Sequence, residues 1–261
     1  MGFRTGRKYA ITWCKKAENY SYVKALECYD EAIKRDPTFA KPWYEKGKIF
    51  ARTPELPENW MWHDTISPYI TGIKPPPYPE VGSQTASKYR ETLKMFDKAT
   101  ELDPKSVNTW FAKGNFYWKH TNGERDAIQC LSNAIALDSK FEPAWFVKAQ
   151  ALGSLGKHEE SIKCYDEALK RMGYRSDDSL PEINLAKADA LSELGEGVSD
   201  ETSMVKCYSS AIRFYTDKLF DDKHKPVVDI DDWEEGARKL QEICSRAING
   251  FENYYHYDEE D

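Results

Sequence analysis

Apolar and small residues return along the chain at the three-and-four spacing of amphipathic helices, and one such segment recurs five times. Its copies lie at 24–37, 88–104, 126–138 and 160–169, and more loosely at 204–212. Every copy holds a small residue with a large apolar residue three places before it. The small residues are Ala32, Ala99, Ala134, Ala168 and Ala211, and the large ones are Tyr29, Phe96, Leu131, Tyr165 and Tyr208. The pattern predicts the same helix five times.

A second amphipathic segment precedes each of the middle copies, at 41–50, 108–118 and 143–152, with a weaker one at 185–191. Its central position holds a small residue, namely Gly47, Gly114, Ala149 and Ala188. Small residues let two helices approach to about 8 to 10 Å. In two copies an Asp-Pro pair follows the second helix of the unit, and this pair is a typical helix stop. The repeating unit is therefore predicted to be helix, turn, helix.

The order of Trp, Gly four residues on, then Ala, Tyr, Ala and Pro resembles the tetratricopeptide repeat, a unit of about 34 residues. About five copies cover roughly residues 6–215. The resemblance implies an all-α fold, a right-handed superhelical solenoid over 1–228. It is specific for the fold and says little about the partner, because one fold hosts many functions.

An insertion interrupts the second copy. The recurring alanines are 67, 35, 34 and 43 residues apart, so the first interval holds one repeat and an extra stretch at about 52–86, between the two helices. Seven of the thirteen prolines lie there, which precludes a continuous helix. Its aromatic residues are candidates for an additional interface: Trp60, Trp62, Tyr69 and Tyr78.

The last part of the chain is predicted to cap the solenoid with a helix at 229–252, followed by an acidic, solvated tail at 253–261. The sequence DIDD supplies a helix N-cap. One apolar stripe follows it: Trp233, Ala237, Leu240, Cys244, Ala247 and Phe251. A solenoid end without such a helix would expose apolar surface.

Composition narrows the function classes. With 40% hydrophobic and 31% charged residues, the sequence is typical of a globular protein. A net charge of −7 disfavours binding to nucleic-acid phosphates. No stretch approaches the roughly 20 apolar residues of a membrane span. We expect a cytoplasmic protein that binds neither nucleic acid nor membrane.

The residues that carry chemistry form no recognised constellation. Four of the six cysteines occupy one repeat position and are expected to pack in the core: Cys28, Cys130, Cys164 and Cys207. The histidines lack metal-ligand spacing, and phosphate-binding or nucleophile motifs do not occur. We expect no metal, cofactor or catalytic residue, and the five histidines serve structure or surface.

In tetratricopeptide proteins the first helices of successive repeats line a concave groove. The resemblance places one row at Tyr44, Phe111, Phe146 and Leu185, and a second row four residues later at Lys48, Asn115, Gln150 and Asp189, with Trp118 within reach. Aromatic side chains can anchor apolar groups, and amides can bond a peptide backbone. A docked peptide or protein segment is predicted, unless the insertion or the last helix covers the row.

Three functions follow as hypotheses. The first is a non-catalytic scaffold or adaptor that binds a peptide or protein segment in the groove. The alternative is a structural subunit that uses the insertion and the solenoid ends as interfaces, with the rings of Trp43, Trp110 and Trp145 packed internally. The third is an enzyme that uses His63 and Asp64 of the insertion, for which the sequence offers no supporting motif.

Overall fold

The structure is a computed structural model, which describes residues 2–20, 22–52, 84–172, 179–194, 201–219 and 230–256. Every regular element within these ranges is an α-helix. The chain forms two compact units, Met1–Ser139 and Lys140–Asp261, called unit 1 and unit 2 below. The single span 1–228 of the sequence prediction is thus divided between both units.

The described part of unit 1, which leaves out residues 53–83, contains three helix pairs that correspond to the first three repeats. The helices are α1 Gly2–Ala17, α2 Tyr22–Arg35, α3 Ala40–Arg52, α4 Gln84–Leu102, α5 Val107–His120 and α6 Glu124–Leu137. Helix α3 ends and α4 begins on either side of residues 53–83, so the insertion itself lies outside the described residues. The helices on its two sides still pack as one pair.

Among the residues of unit 2 that the structure describes, there are two helix pairs and one long helix. These are α7 Glu142–Gly153, α8 His158–Met172, α9 Ser179–Ser192, α10 Glu201–Leu219 and α11 Ile230–His256. The prediction of an all-helical tetratricopeptide architecture is confirmed in both units.

Local sequence sets the helix ends. The Ser106 hydroxyl caps α5 by accepting a hydrogen bond from the backbone N–H of Thr109, at 3.3 Å. A proline lies in the first turn of α7, where its missing N–H costs nothing. After α7, Gly156 adopts a φ of 73°, a conformation that favours glycine. The turn between α7 and α8 is therefore encoded by residues of the turn itself.

The predicted core residues are buried as expected. All five recurring alanines are 0% exposed, and the large residues three places before them are at most 4% exposed. The four cysteines of the repeat position are buried as well. Burial raises the pKa of the Cys130 thiol to about 11, so the neutral thiol packs as a small apolar group. The repeat pattern thus identified the core of each pair.

Two glycines set how closely paired helices approach. A Cβ at Gly47 would lie 2.9 Å from the Phe96 ring, and one at Gly114 would lie 2.8 Å from Cγ of Leu131. Both distances are shorter than carbon atoms tolerate, so each glycine admits the large residue of its partner helix. The sequence prediction that small residues permit close approach is confirmed at these positions.

Helix α11 packs against α9 and α10 and closes the core of unit 2. Ile243 is 1% exposed in that core, and Leu240, Ala247 and Phe251 pack beside it. The predicted stripe was wrong at Cys244, which is exposed. Adjacent residues on a helix differ by about 100° in direction, so the neighbouring helices select Ile243 instead. The side chains of Trp233 and Ala237, and the tail beyond residue 256, lie outside the described residues.

Candidate functional site

The candidate groove residues of α3 form a compact cluster on one helix face. Tyr44 is half-buried, and Nζ of Lys48 lies 5.0 Å from the centre of its ring, a cation–π distance. The same Nζ forms an ion pair with Glu45 at 3.0 Å. Burial and the Glu45 charge raise the pKa of Tyr44, while the nearby Arg52 charge opposes this shift. Aromatic, acidic and basic groups therefore meet at this point.

Helix α5 presents the other candidates of unit 1. Phe111, Asn115 and Trp118 are all half-buried, so each keeps solvent-accessible surface. The helix is held in place by its Ser106 cap and by Trp110, whose indole N–H donates to the carbonyl oxygen of Pro104 at 2.9 Å. In unit 1, α5 contacts α3 directly. The structure thus brings these three side chains onto a helix adjacent to Tyr44 and Lys48.

The ring of Trp110 repeats the arrangement of Trp43, whose indole N–H donates to the carbonyl oxygen of Pro37 at 3.2 Å. Both rings remain half-buried. In both repeats the indole bonds the proline that follows the preceding helix. These tryptophans therefore join successive repeats within unit 1.

Ion pairs between neighbouring repeats also fix the orientation of the first helices. Lys113 of α5 pairs with Asp97 of α4 at 2.7 Å, and Lys46 of α3 pairs with Asp30 of α2. Lys187 of α9 pairs with Asp166 of α8 at 2.5 Å in unit 2. Sequence analysis missed this series. The signal in the sequence was a lysine directly before the small residue of each of these first helices. It was matched by an aspartate directly after the large residue of the second helix in three copies.

The fourth repeat, in unit 2, contributes Phe146 and Gln150 from α7. Phe146 is half-buried, and its ring centre lies 6.0 Å from that of Tyr165 on α8. The side-chain oxygen of Gln150 is buried and accepts no hydrogen bond. A buried amide oxygen without a donor is unfavourable by about 1 to 3 kcal/mol.

The fifth repeat does not continue the aromatic row. Leu185 was predicted to line the groove, but it is 2% exposed and belongs to the core of unit 2. This prediction was wrong because α10 and α11 pack over α9 and enclose that side chain. The register of the repeat alone did not show which face the last helix would cover.

Asp189 of the fifth repeat is engaged by the long helix. Its carboxylate accepts a hydrogen bond from the Tyr208 hydroxyl at 3.0 Å and forms an ion pair with Arg246 of α11. Burial and the Asp189 charge raise the pKa of Tyr208, which stays a neutral donor. A Cβ at Gly250 would overlap the Tyr208 hydroxyl oxygen, so α11 approaches closely here. Asp189 therefore holds α11 in place through its ion pair with Arg246.

An aromatic cluster that the sequence did not indicate lies between α4 and α5. The His120 ring centre is 4.9 Å from Phe116 and 5.5 Å from Tyr89. Burial, with a contribution from the Lys119 charge, lowers the pKa of His120 to about 4. The imidazole is therefore neutral at pH 7 and acts as a packing group at the end of α5.

The insertion candidates Trp60, Trp62, Tyr69 and Tyr78 lie outside the described residues, as do His63 and Asp64. Over the described ranges, no group of three or more His, Cys, Asp or Glu side chains is arranged to hold a metal ion. None of the described helices combines the length and the apolar character needed to span a bilayer.

Comparison with known proteins agrees with the repeat architecture. The tetratricopeptide repeat family model matches residues 142–171, which form α7 and nearly all of α8. The cell division cycle protein 16 homolog of Homo sapiens is 22% identical over 181 residues, covering 61% of this chain and 29% of that protein. This chain therefore matches less than a third of its relative.

Two solved structures share the fold. The crystal structure of MamA has a TM-score of 0.57 and 15% identity, covering 87% of this chain and 98% of that one. YrrB, described as a TPR protein with an unusual peptide-binding site, has a TM-score of 0.54 and 14% identity, covering 90% of each chain. At such identities the likeness concerns the fold. Together with the five helix pairs that the structure describes and their recurring core, it shows that the chain has the tetratricopeptide repeat fold.

Proposed function

We propose that this protein is a non-catalytic scaffold that binds a peptide or protein segment on the first helices of its repeats. The observation that carries the proposal is the row of half-buried aromatic residues on α3 and α5, with Lys48 and Asn115 beside them. Rings that keep accessible surface next to polar groups are typical of interface anchors. YrrB, which shares the fold, is described as having a peptide-binding site.

The binding residues we propose are Tyr44, Lys48, Phe111, Asn115 and Trp118 in unit 1, and Phe146 and Gln150 in unit 2. The Phe146 ring supports the second group, because it is half-buried and keeps accessible surface on α7. Asp189 serves the docking of α11 instead. We propose a cytoplasmic location, where reduced cysteines persist.

The test is a pull-down with three forms of the protein. One variant carries Phe111→Ala and Asn115→Ala, the second Phe146→Ala and Gln150→Ala, and the intact protein is the reference. Circular dichroism first establishes that each variant is folded. A partner captured by the intact protein and lost by a folded variant supports the proposal and identifies the unit. Equal capture by all three forms would refute it.

The alternative is a structural subunit that pairs through the insertion and the solenoid ends. Exposed apolar side chains of the first repeat favour it, since Tyr9 is 56% exposed and Val23 is 70% exposed. Light scattering of the pure protein separates the two functions. A subunit should self-associate or be unstable alone, whereas an adaptor should stay monodisperse and folded.

A further inference from the structure

Two Asn-Gly pairs occur in the sequence, Asn122-Gly123 and Asn249-Gly250. The structure places them in contrasting surroundings. Asn122 is exposed in the short turn between α5 and α6, whereas Asn249 lies inside α11 and is followed by the buried Gly250. One dipeptide is therefore found in two backbone conformations within the same chain.

The chemistry of an Asn-Gly pair depends on its backbone. The nitrogen of the glycine attacks the side-chain carbonyl carbon of the asparagine, and a five-membered succinimide ring forms. The side-chain amide leaves with the proton of the backbone N–H as ammonia. Water then opens the ring at either carbonyl group, which gives aspartate or isoaspartate. The attack is intramolecular, so proximity favours it, and glycine leaves the nitrogen unhindered because it has no side chain.

The turn itself requires glycine after Asn122. A Cβ at Gly123 would lie 2.7 Å from Oγ1 of Thr121 and 2.9 Å from Cδ1 of Tyr117. Both distances are shorter than these atoms tolerate. A side chain at this position would force the turn to shift. The unhindered nitrogen next to Asn122 is thus a consequence of how the turn packs.

A single hydrogen bond opposes the attack by the Gly123 nitrogen. Its N–H donates to Oγ1 of Thr121 at 3.1 Å, and the Thr121 hydroxyl donates in turn to the carbonyl oxygen of Tyr117 at 2.7 Å. One neutral hydrogen bond slows the attack by at most about tenfold. The Gly250 amide lies in the interior of α11, so the helix must open locally before the ring can form there.

We infer that Asn122 is a site of spontaneous deamidation, and that its isoaspartyl product loosens the start of α6. Isoaspartate carries the main chain through its Cβ and lengthens it by one carbon atom. Gly123, which is closely surrounded by Thr121 and Tyr117, must then move. Its carbonyl oxygen accepts a hydrogen bond from the backbone N–H of Ala127 at 2.8 Å, at the beginning of α6. The longer main chain disrupts this bond.

The new negative charge has little effect of its own. A carboxylate before the first turn of α6 is favoured by the helix dipole. That turn already holds the acidic residues Glu124 and Asp126, which repel a further carboxylate. Because these two effects oppose each other, the additional main-chain atom accounts for the loosening.

The test is incubation of the full chain at neutral pH and physiological temperature, followed by tryptic digestion and mass spectrometry. Deamidation adds one dalton to the peptide 120–125, and chromatography separates its aspartyl and isoaspartyl forms. The peptide 247–261 reports on Asn249 in the same sample. We expect Asn122 to convert at least about tenfold faster than Asn249, because α11 must open first.

The chain unfolded in guanidinium chloride supplies the reference rate. Both pairs should convert at similar rates there, since neither is held by structure. An Asn122 that stays intact in the native chain while it converts in the unfolded chain would overturn the inference. Equal conversion of Asn122 and Asn249 in the native chain would also overturn it, because the reaction would then proceed through the unfolded state.

Two variants test the mechanism. Asn122→Gln should remain unmodified, because its longer side chain would have to close a six-membered ring, which forms far more slowly. Thr121→Val removes the acceptor of the Gly123 N–H with little change in shape. This variant should raise the conversion rate of Asn122 about threefold to tenfold. An unchanged or lower rate would overturn the restraint assigned to Thr121.

Hydrogen exchange tests the structural consequence. After incubation, the amides at the start of α6, including that of Ala127, should exchange faster in the intact chain and at an unchanged rate in Asn122→Gln. The variant Asn122→Asp carries the charge without the additional main-chain atom and should resemble the fresh chain. Unchanged exchange in the converted chain, or an equal rise in Asn122→Asp, would overturn the isoaspartyl effect. These measurements do not involve the proposed function, so either can fail without the other.

Discussion

Replacing Gly114 by alanine tests whether this position requires glycine because α5 and α6 approach closely. Helix propensity alone would favour alanine. An added Cβ would lie 2.8 Å from Cγ of Leu131 and 3.2 Å from both the Ala127 carbonyl oxygen and Cβ of Cys130. Leu131 is 0% exposed and Ala127 contributes a backbone atom, so neither neighbour can move away cheaply. The substitution therefore creates overpacking on three sides.

Two opposing effects set the magnitude. Alanine is favoured over glycine within a helix by about 1 kcal/mol. Overpacking of a buried site typically costs about 1 to 3 kcal/mol, and the three-sided contact places Gly114 near the upper end. We expect a net loss of about 1 to 2 kcal/mol in the free energy of unfolding. The assay is urea denaturation followed by circular dichroism, with hydrogen exchange of the α5 and α6 amides to locate the effect.

Matched variants make the reasoning refutable. At Gly153, a Cβ meets only the Ser161 hydroxyl at 3.6 Å, so Gly153→Ala should be neutral or slightly stabilising. Leu131→Ala alone should cost about 2 to 5 kcal/mol. Combined with Gly114→Ala it should cost less than the sum, because the new methyl group fills part of the vacated space. A stabilised Gly114→Ala variant, or strict additivity, would show that the close approach does not dictate glycine.

Three other perturbations probe the rest of the structure. Gly250→Ala should loosen α11, because its Cβ would overlap the Tyr208 hydroxyl oxygen. Hydrogen exchange should rise in α11 and stay unchanged in unit 1, and unchanged exchange of the α11 amides would contradict this contact. The His120 pKa is lower in the folded state, at about 4, than the ordinary value of 6.5, so folding favours the neutral ring. The contribution of His120 to the free energy of unfolding should be complete above pH 6.5 and should be lost, by up to about 3 kcal/mol, as the pH falls towards 4. Over that range the melting temperature of the His120→Gln variant should fall less than that of the intact protein. A double-mutant cycle with Lys113→Gln and Asp97→Asn should give a coupling energy of about 0.5 to 1 kcal/mol, because Asp97 is largely exposed. The coupling energy should decrease in high salt. A coupling energy near zero would show that this ion pair does not stabilise the fold.

The sequence by itself determined the repeat, its helices and the core positions within each pair. The alanines and the large residues three places before them are buried because helix periodicity is local and each pair buries the same stripe. The glycines at Gly47 and Gly114 were predictable for the same reason, since each faces a large residue of its own partner helix. The tetratricopeptide resemblance also identified the first-helix positions of the proposed site.

Only the tertiary structure decided which residues meet between elements that are distant in the chain. Asp189 pairs with Arg246, which lies 57 residues later, and this contact assigns the fifth repeat to the docking of α11. Leu185 and Ile243 entered the core, while Cys244 remained exposed, because the rotation of α9 and α11 about their axes is set by packing. A periodic sequence defines an apolar stripe, but neighbouring helices determine which edge of that stripe they cover.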